Sequence, residues 1–310
     1  METRTLSSSP SILPLYARAA APMIPGASLL PFVPGGGGEI PEIELELPSV
    51  RADPETVAAY ARVCGFTLRD QLPPTYPHVL AFPLHMALMA DGRFPFGAVG
   101  LVHVENRIEQ HRPLGLGEEL SLRARPTPLV PHPKGRAFTI VTEARTAGGE
   151  LAWEGVSTFL RRGKGDPEAP AGSGLALDPA TPASAEWRLG GDLGRRYAAV
   201  SGDRNPIHMH ALTARPLGFP AAIAHGMWTK ARCLAALESR LPDAFAVEVR
   251  FRKPILLPAR VEFASAERDG GEIEFAVRDA RKATPHLDGR VTPESKAKAS
   301  KPKTKPRRAQ

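Results

Sequence analysis

The chain has 310 residues, 42% hydrophobic and 24% charged, with two cysteines and a formal net charge of +7. That length holds two domains of ordinary size, each with a buried core, and the composition is that of a globular protein. Cys64 and Cys233 supply neither a disulfide framework nor a Cys-x-x-Cys metal knuckle, which points to a reducing, cytoplasmic setting.

The charge belongs to one end. Residues 295–310, SKAKASKPKTKPRRAQ, hold seven Lys/Arg and no acid; removing those seven from the 40 basic residues leaves 33, balanced against 33 acidic. A basic, disordered tail over residues 293–310 is expected. With no recognition helix or aromatic platform beside it, it implies no specific nucleic-acid partner. No apolar run approaches the ~20 residues of a membrane span.

Residues 1–40 read as an irregular arm. Pro10, Pro14, Arg18 and Pro22 interrupt it and argue against a secretory signal, while its Ser and Arg with Glu2 as lone acid leave an organelle transit peptide open. EIELELPSV follows, where Ile43, Leu45 and Leu47 alternate with glutamates at the period of a half-buried strand. In ADPETVAAYARVCGF, Asp53 suits the N-cap, Pro54 the first helical position and Glu55 the first turn. A second apolar helix is expected near residues 83–90. Strands then follow in GLVHVENRI, EELSLRARP, GRAFTIVTEART and ELAWEGVSTFLRR. Residues 163–185 are a Pro/Gly/Ala/Ser linker. Beyond it the order returns: a helix over 192–200, a loop, a long apolar helix in AHGMWTKARCLAALESRL, and strands in AVEVRFRKPILLP, RVEFASAER, GEIEFAVRDAR and TPHLDGRV.

The recurrence is visible in letters. YARVCGF at 60–66 matches YAAVSGD at 197–203, and VENRI at 104–108 matches VEVRF at 247–251. Two matched words in the same order indicate an internal duplication. Phe66 stands where the second copy has Asp203, and Gln71 where it has His208. One active site per chain is the inference.

That site centres on YAAVSGDRNPIHMH. Asn205 suits an N-cap and Pro206 the first helical turn, placing His208 at a helix start and Asp203 just before it. A carboxylate and an imidazole around one space hold a water from two sides; the spacing does not say which is the base. In IAHGMWTKA, Gly226 lies just inside a helix start. Its N–H, with the helix dipole, suits an oxyanion site for a polarised carbonyl. Water beside a stabilised enolate describes addition to an α,β-unsaturated thioester, or its reverse.

SGDRNPIH followed by GFPAAIAHGM resembles the signature of the R-specific enoyl-CoA hydratases, the hydratase 2 or MaoC-like dehydratase group, whose fold is the hotdog, a long helix wrapped by an antiparallel sheet. Over residues 41–292 the chain further resembles the double-hotdog 3-hydroxyacyl-thioester dehydratases, with PTYPHVLAFPLHMALM and GLVHVENRI in a degenerate first copy. The resemblance implies an α+β double hotdog: the arm to residue 40, a degenerate hotdog over 41–162, the linker over 163–185, a catalytic hotdog over 186–292 and the tail. It implies Asp203 and His208 as the catalytic pair and Gly226 as oxyanion donor. Asn205, Phe219, His225 and Met227 would bind substrate, and Tyr197, Ser201, Gly202 and Pro206 would support the motif. Some relatives carry a Ser in the helix after HGM; WTKARCLAAL has none, so no hydroxyl role is assigned there. The implied reaction interconverts trans-2-enoyl and (3R)-3-hydroxyacyl thioesters, carried on CoA or acyl carrier protein, with no metal or other cofactor.

Simpler readings stand beside these. Taken alone, Asp203 with Asn205-Pro206 is a capping turn; His208, the HGM helix and the degenerate twin favour catalysis. His208, His210 and His225 lack acidic or Cys partners at ligand spacing, which argues against a metal. His210 is expected at the surface and His225 as support for the helix start. Arg252 and Lys253 either meet the phosphates of a CoA carrier or form a solvated strand end. The rival functions are a hotdog thioesterase, which releases thiol, and a non-catalytic acyl-binding subunit of a hydratase complex. Fused hotdogs allow a monomer or a homodimer.

Overall fold

A computed structural model of the chain describes residues 1–20, 38–98 and 100–294. The expected basic tail, from residue 295 on, lies outside them, as does most of the glycine run. The first copy opens with β2 (Ile43–Arg51) and α2 (Pro54–Cys64). Asp53 caps α2 by accepting from the Thr56 N–H, and Gly65, at φ 86°, ends it in a left-handed conformation that only glycine takes without strain. The second copy repeats the device, with α4 (Leu193–Ser201) ending at Gly202, φ 74°. The matched words YARVCGF and YAAVSGD thus form equivalent helix ends. They also meet in space, with Tyr60 and Tyr197 at 6.0 Å between ring centroids.

Each copy wraps one apolar helix. In the first this is α3 (Tyr76–Met89), longer than the expected 83–90, and Pro83 lies inside it. Tyr76, Ala81, Leu84 and Leu88 are all buried, and their packing offsets the hydrogen bond that proline removes. In the second it is α7 (Gly226–Leu237), preceded by two single-turn helices, α5 (Pro206–Met209) and α6 (Ala211–Ala214).

The first-copy strands are β3 (Leu101–Gln110), β4 (Glu119–Pro126), β5 (Val130–His132), β6 (Gly135–Thr146) and β7 (Leu151–Arg162). The second copy supplies β8 (Ala183–Leu189), β9 (Phe245–Phe251), β10 (Ala259–Arg268), β11 (Glu272–Asp279) and β12 (Pro285–Pro293). With β1 (Glu2–Thr5) they make one 12-stranded sheet, in the order β1-β2-β4-β6-β7-β3-β9-β12-β11-β10-β8, with β5 on β6. The two copies join edge to edge where β3 pairs antiparallel with β9. Asn106 lies opposite Val249, and these are the third residues of the matched words VENRI and VEVRF. A local twofold therefore passes through that pair, and the chain is a double hotdog. Lys230 of α7, fully buried, reaches this seam and donates to Asn106 Oδ1 (2.6 Å), Asn106 O (3.2 Å) and Val247 O (3.1 Å).

The arm expected to be irregular over residues 1–40 is not so over its first twenty. β1 adds in parallel to β2, with Glu2 opposite Ile43, and α1 (Ile12–Ala20) follows with Leu15 buried. The β2 edge offers unpaired backbone groups that a strand can satisfy. Pro10 and Pro14 fall before and within the first turn of α1, where an N–H has no helical acceptor. The linker also ends earlier than residue 185, because β8 begins at Ala183 to cover the β10 edge. Before it, Arg250 donates to Ala171 O and Ser173 O, and Arg252 to Leu175 O, tying the linker across the second-copy sheet.

Candidate active site

The site is a loop held from three directions. Past Gly202 the chain turns, and the Asp203 N–H donates to Ser201 Oγ (3.2 Å). Asn205 caps α5, its Oδ1 accepting from the Ile207 N–H (3.3 Å). Residues 222–224 then cross behind α5: Ile223 N–H donates to Ile207 O, Ala224 N–H to Ile255 O, and Ala222 O accepts from Leu257 N–H. These bonds fix the Ile223 carbonyl against His208, whose Nδ1 donates to it at 2.8 Å. A carbonyl only accepts, so Nδ1 carries the proton and Nε2 keeps a lone pair.

His225 departs from expectation. It precedes α7 but makes no side-chain cap. Its ring stacks on His208 at 3.6 Å between centroids, Tyr197 packs against it at 4.8 Å, and its Nε2 donates to Asp203 O at 2.9 Å. Its Nδ1 is sealed without a partner. With both nitrogens engaged or covered, His225 walls the cavity and holds the Asp203 loop; no polar atom of its ring is free for a ligand. Burial lowers the His208 pKa, against the opposing charge of Asp203 and the bond to Ile223. Burial and the neighbouring His208 lower that of His225 to about 3. Burial raises Asp203, but His225, His208, the Tyr16 hydroxyl and the Asn205 N–H together outweigh it and leave the carboxyl below its ordinary value. A carboxylate therefore faces neutral imidazoles at neutral pH.

Asp203, His208 and His225 place ligand atoms within 4.8 Å of one another, an acidic partner for the histidines that linear spacing did not reveal. Nδ1 of His208 and Nε2 of His225 both point at carbonyls and Nδ1 of His225 is sealed. One imidazole nitrogen and one carboxylate suit a water better than a resident ion.

These groups face a cavity of about 1070 Å³. Asp203, His208 and Gly226 line it from the second copy, and Val79, Phe82 and Met86 from the first. Gly226 opens the 12-residue α7, where a first-turn N–H has no acceptor within the helix. A Cβ there would meet the Phe251 ring at 3.0 Å. Of the remaining expected residues, Asn205, Phe219, Met227, Tyr197 and Ser201 also line the cavity, while Gly202 and Pro206 shape the loop behind it. His210 is exposed and accepts from the Leu212 N–H. Arg252 is committed to Asp288 Oδ2 at 2.6 Å and to the linker; Lys253 remains exposed beside the cavity. In the first copy Phe66 is buried and Gln71 exposed, so neither position offers an acid or a base.

One residue escaped the sequence reading. Tyr16 of α1 donates its hydroxyl to Asp203 Oδ1 at 2.7 Å, across 187 positions of chain. The apolar residues Ile12 and Leu15 beside it, at helical spacing, could have suggested the helix; nothing in the letters names its target.

Residues 184–288 match the family model described as "MaoC like domain". The chain is 41% identical over 286 residues to 3-hydroxyacyl-thioester dehydratase X of Mycobacterium tuberculosis, covering 91% of this chain and 98% of that protein. A crystal structure of HtdX from the same organism superposes with a TM-score of 0.72 at 39% identity, over 81% of this chain and 99% of that one. A further M. tuberculosis protein, described as having a double hotdog fold, is 13% identical and gives a TM-score of 0.55 over 83% of this chain and 98% of that one; at that identity the likeness is one of fold. Among the described residues no helix is long and apolar enough to cross a membrane.

Proposed function

Since the chain belongs to the MaoC-like family of 3-hydroxyacyl-thioester dehydratases, we propose that it is a hydro-lyase interconverting trans-2-enoyl and (3R)-3-hydroxyacyl thioesters. The observation that carries the site assignment is the His208 tautomer. With Nδ1 bonded to Ile223 O, Nε2 is an acceptor, and the ionised Asp203 is another. Two acceptors hold one water by both its hydrogens and leave an oxygen lone pair free for the substrate. In hydration that oxygen bonds to C3, the C2–C3 double bond shifts to an enolate, and one of the two bases takes a water proton. The Gly226 N–H, at the positive end of α7, stabilises the developing charge on the thioester oxygen. The acquired proton is then delivered to C2. Dehydration is the reverse, and no electron leaves or enters.

The thioester is carried on CoA or an acyl carrier protein, with Lys253 at the cavity rim suited to a phosphate. The β3–β9 seam satisfies within one chain the edge that a lone hotdog presents to a partner, and we read the protein as a monomer; a homodimer is the other outcome of sedimentation. Two buried free thiols fit a cytoplasmic setting.

The test is loss of the enoyl absorbance of crotonyl-CoA, a longer enoyl-CoA and an enoyl-carrier protein. Rapid loss with (3R) product is expected, falling by at least about 100-fold in both Asp203→Asn and His208→Ala. Release of free thiol would make the protein a thioesterase instead. Neither change, from folded protein, would leave an acyl-binding subunit.

A further inference from the structure

Tyr16 belongs to neither matched copy. It stands outside the 184–288 domain, on a helix ahead of the first hotdog. We infer that Tyr16 is a positioning residue for the reaction, its hydroxyl holding the Asp203 carboxylate so that Oδ1 is occupied and Oδ2 is left to the water. This rests on the role given to Asp203 above.

Three observations carry it. Tyr16 donates to Oδ1 at 2.7 Å, and the Asn205 N–H reaches the same oxygen at 3.2 Å. Two donors on one oxygen stop the carboxylate from turning about its Cβ–Cγ bond. The other oxygen, Oδ2, lies 3.8 Å from His225 Nε2, a nitrogen already committed to Asp203 O. The helix is docked, not draped. Leu15 is buried, and Ile12 Cδ1 lies so near the loop that a Cβ on Gly202 would come within 2.5 Å of it. Tyr16 itself lines the cavity beside Asp203.

The other ionisable groups around Asp203 do not supply that donor. His208 on α5 and His225 before α7 turn their protons to backbone carbonyls. His78 on α3 and His103 on β3 sense its charge, as does Tyr197 on α4, but none of the three is bonded to it. Burial and the Asp203 charge both raise the Tyr16 pKa, so the hydroxyl stays a donor. A charge-assisted bond of this kind stabilises the ionised carboxyl. Without it, Asp203 takes a proton at higher pH.

The experiment compares wild type, Tyr16→Phe and Leu15→Ala in two readouts on the whole chain. One is steady-state hydration against pH. The other is the ¹³C carboxyl titration of Asp203, assigned by its loss in Asp203→Asn. For Tyr16→Phe, kcat should fall about tenfold with KM within about twofold. Both the acid limb of the rate profile and the carboxyl midpoint should move to higher pH. Leu15→Ala, which loosens the helix with the hydroxyl retained, reports what docking alone contributes. A Tyr16→Phe enzyme with wild-type kcat and carboxyl midpoint overturns the inference. So does a fall in kcat with an unmoved midpoint that Leu15→Ala reproduces. If the wild type acts on no enoyl thioester, the functional reading fails, while the titration still decides whether Tyr16 holds the carboxylate.

Discussion

His225, His78 and His103 share one condition: the first two are buried and the third half-buried, and desolvation lowers the pKa of each, to about 3, about 4 and about 3 respectively. Their ordinary value is 6.5. Below that pH the unfolded chain takes up protons that the folded chain refuses, so stability falls as pH drops from about 6.5 toward about 4. Each refused proton contributes about 1.4 kcal/mol per pH unit across that window. Urea unfolding should therefore show a lower midpoint at pH 5.5 than at pH 7.5; equal midpoints would mean that these imidazoles titrate normally. With the roles proposed for His208 and Asp203, activity follows the same sign. His208 and Asp203 are both lowered, so the neutral imidazole and the carboxylate persist together below pH 6.5. The plot of kcat/KM against pH should run level through 6.5 and bend only at lower pH; a bend at 6.5 would assign His208 an unshifted pKa. The candidate acid/base turn was legible because Asp203, Asn205, Pro206 and His208 lie close together in the chain, where spacing restricts geometry. The Ile223 carbonyl, the stacked His225 and Tyr16 were not, because each arrives from another element.

At the scale of elements, the seam between β3 and β9 holds the least expected residue. Lys230 reads in sequence as one polar position of an apolar helix, yet it is fully buried, with its Nζ on three oxygens of the joined strands. Lys230→Ala leaves those oxygens without their donor and opens a cavity, and should cost about 2–5 kcal/mol. Lys230→Met with Asn106→Val removes donor and side-chain acceptor together, and gives Asn106 the residue of its twofold partner Val249. That pair should recover part of the loss, because Met refills the space while the Asn106 and Val247 carbonyls still lack the donor. Denaturant unfolding of both variants checks this, and a double variant no better than Lys230→Ala alone would place the loss in the two carbonyls left without the donor rather than in packing. Strands and capped helices were readable from alternation and from Asp53-Pro54. The reach of α3 through Pro83 was not, because local propensity counts the proline and cannot count the sheet around it.

Across the whole molecule, one cavity serves two copies. The second brings Asp203, His208 and Gly226, and the first brings apolar wall from α3. If that wall shapes the acyl tunnel, Val79→Phe should lower kcat/KM for a long enoyl-CoA by about tenfold and leave crotonyl-CoA nearly unchanged. Equal effects on both lengths would put Val79 beside the reacting carbons instead.

The sequence by itself determined the duplication, the start of α2 at Asp53-Pro54, the acid/base turn and the glycine at the α7 start. All of these depend on residues close together in the chain, where covalent spacing and backbone conformation restrict the outcome. Only the tertiary structure decided that the matched words pair with each other across a local twofold, that residues 1–20 contribute β1 and α1, and that Tyr16 reaches Asp203. Those contacts join residues far apart in the chain, and what selects them is the burial of surface and the pairing of strand edges by the molecule as a whole.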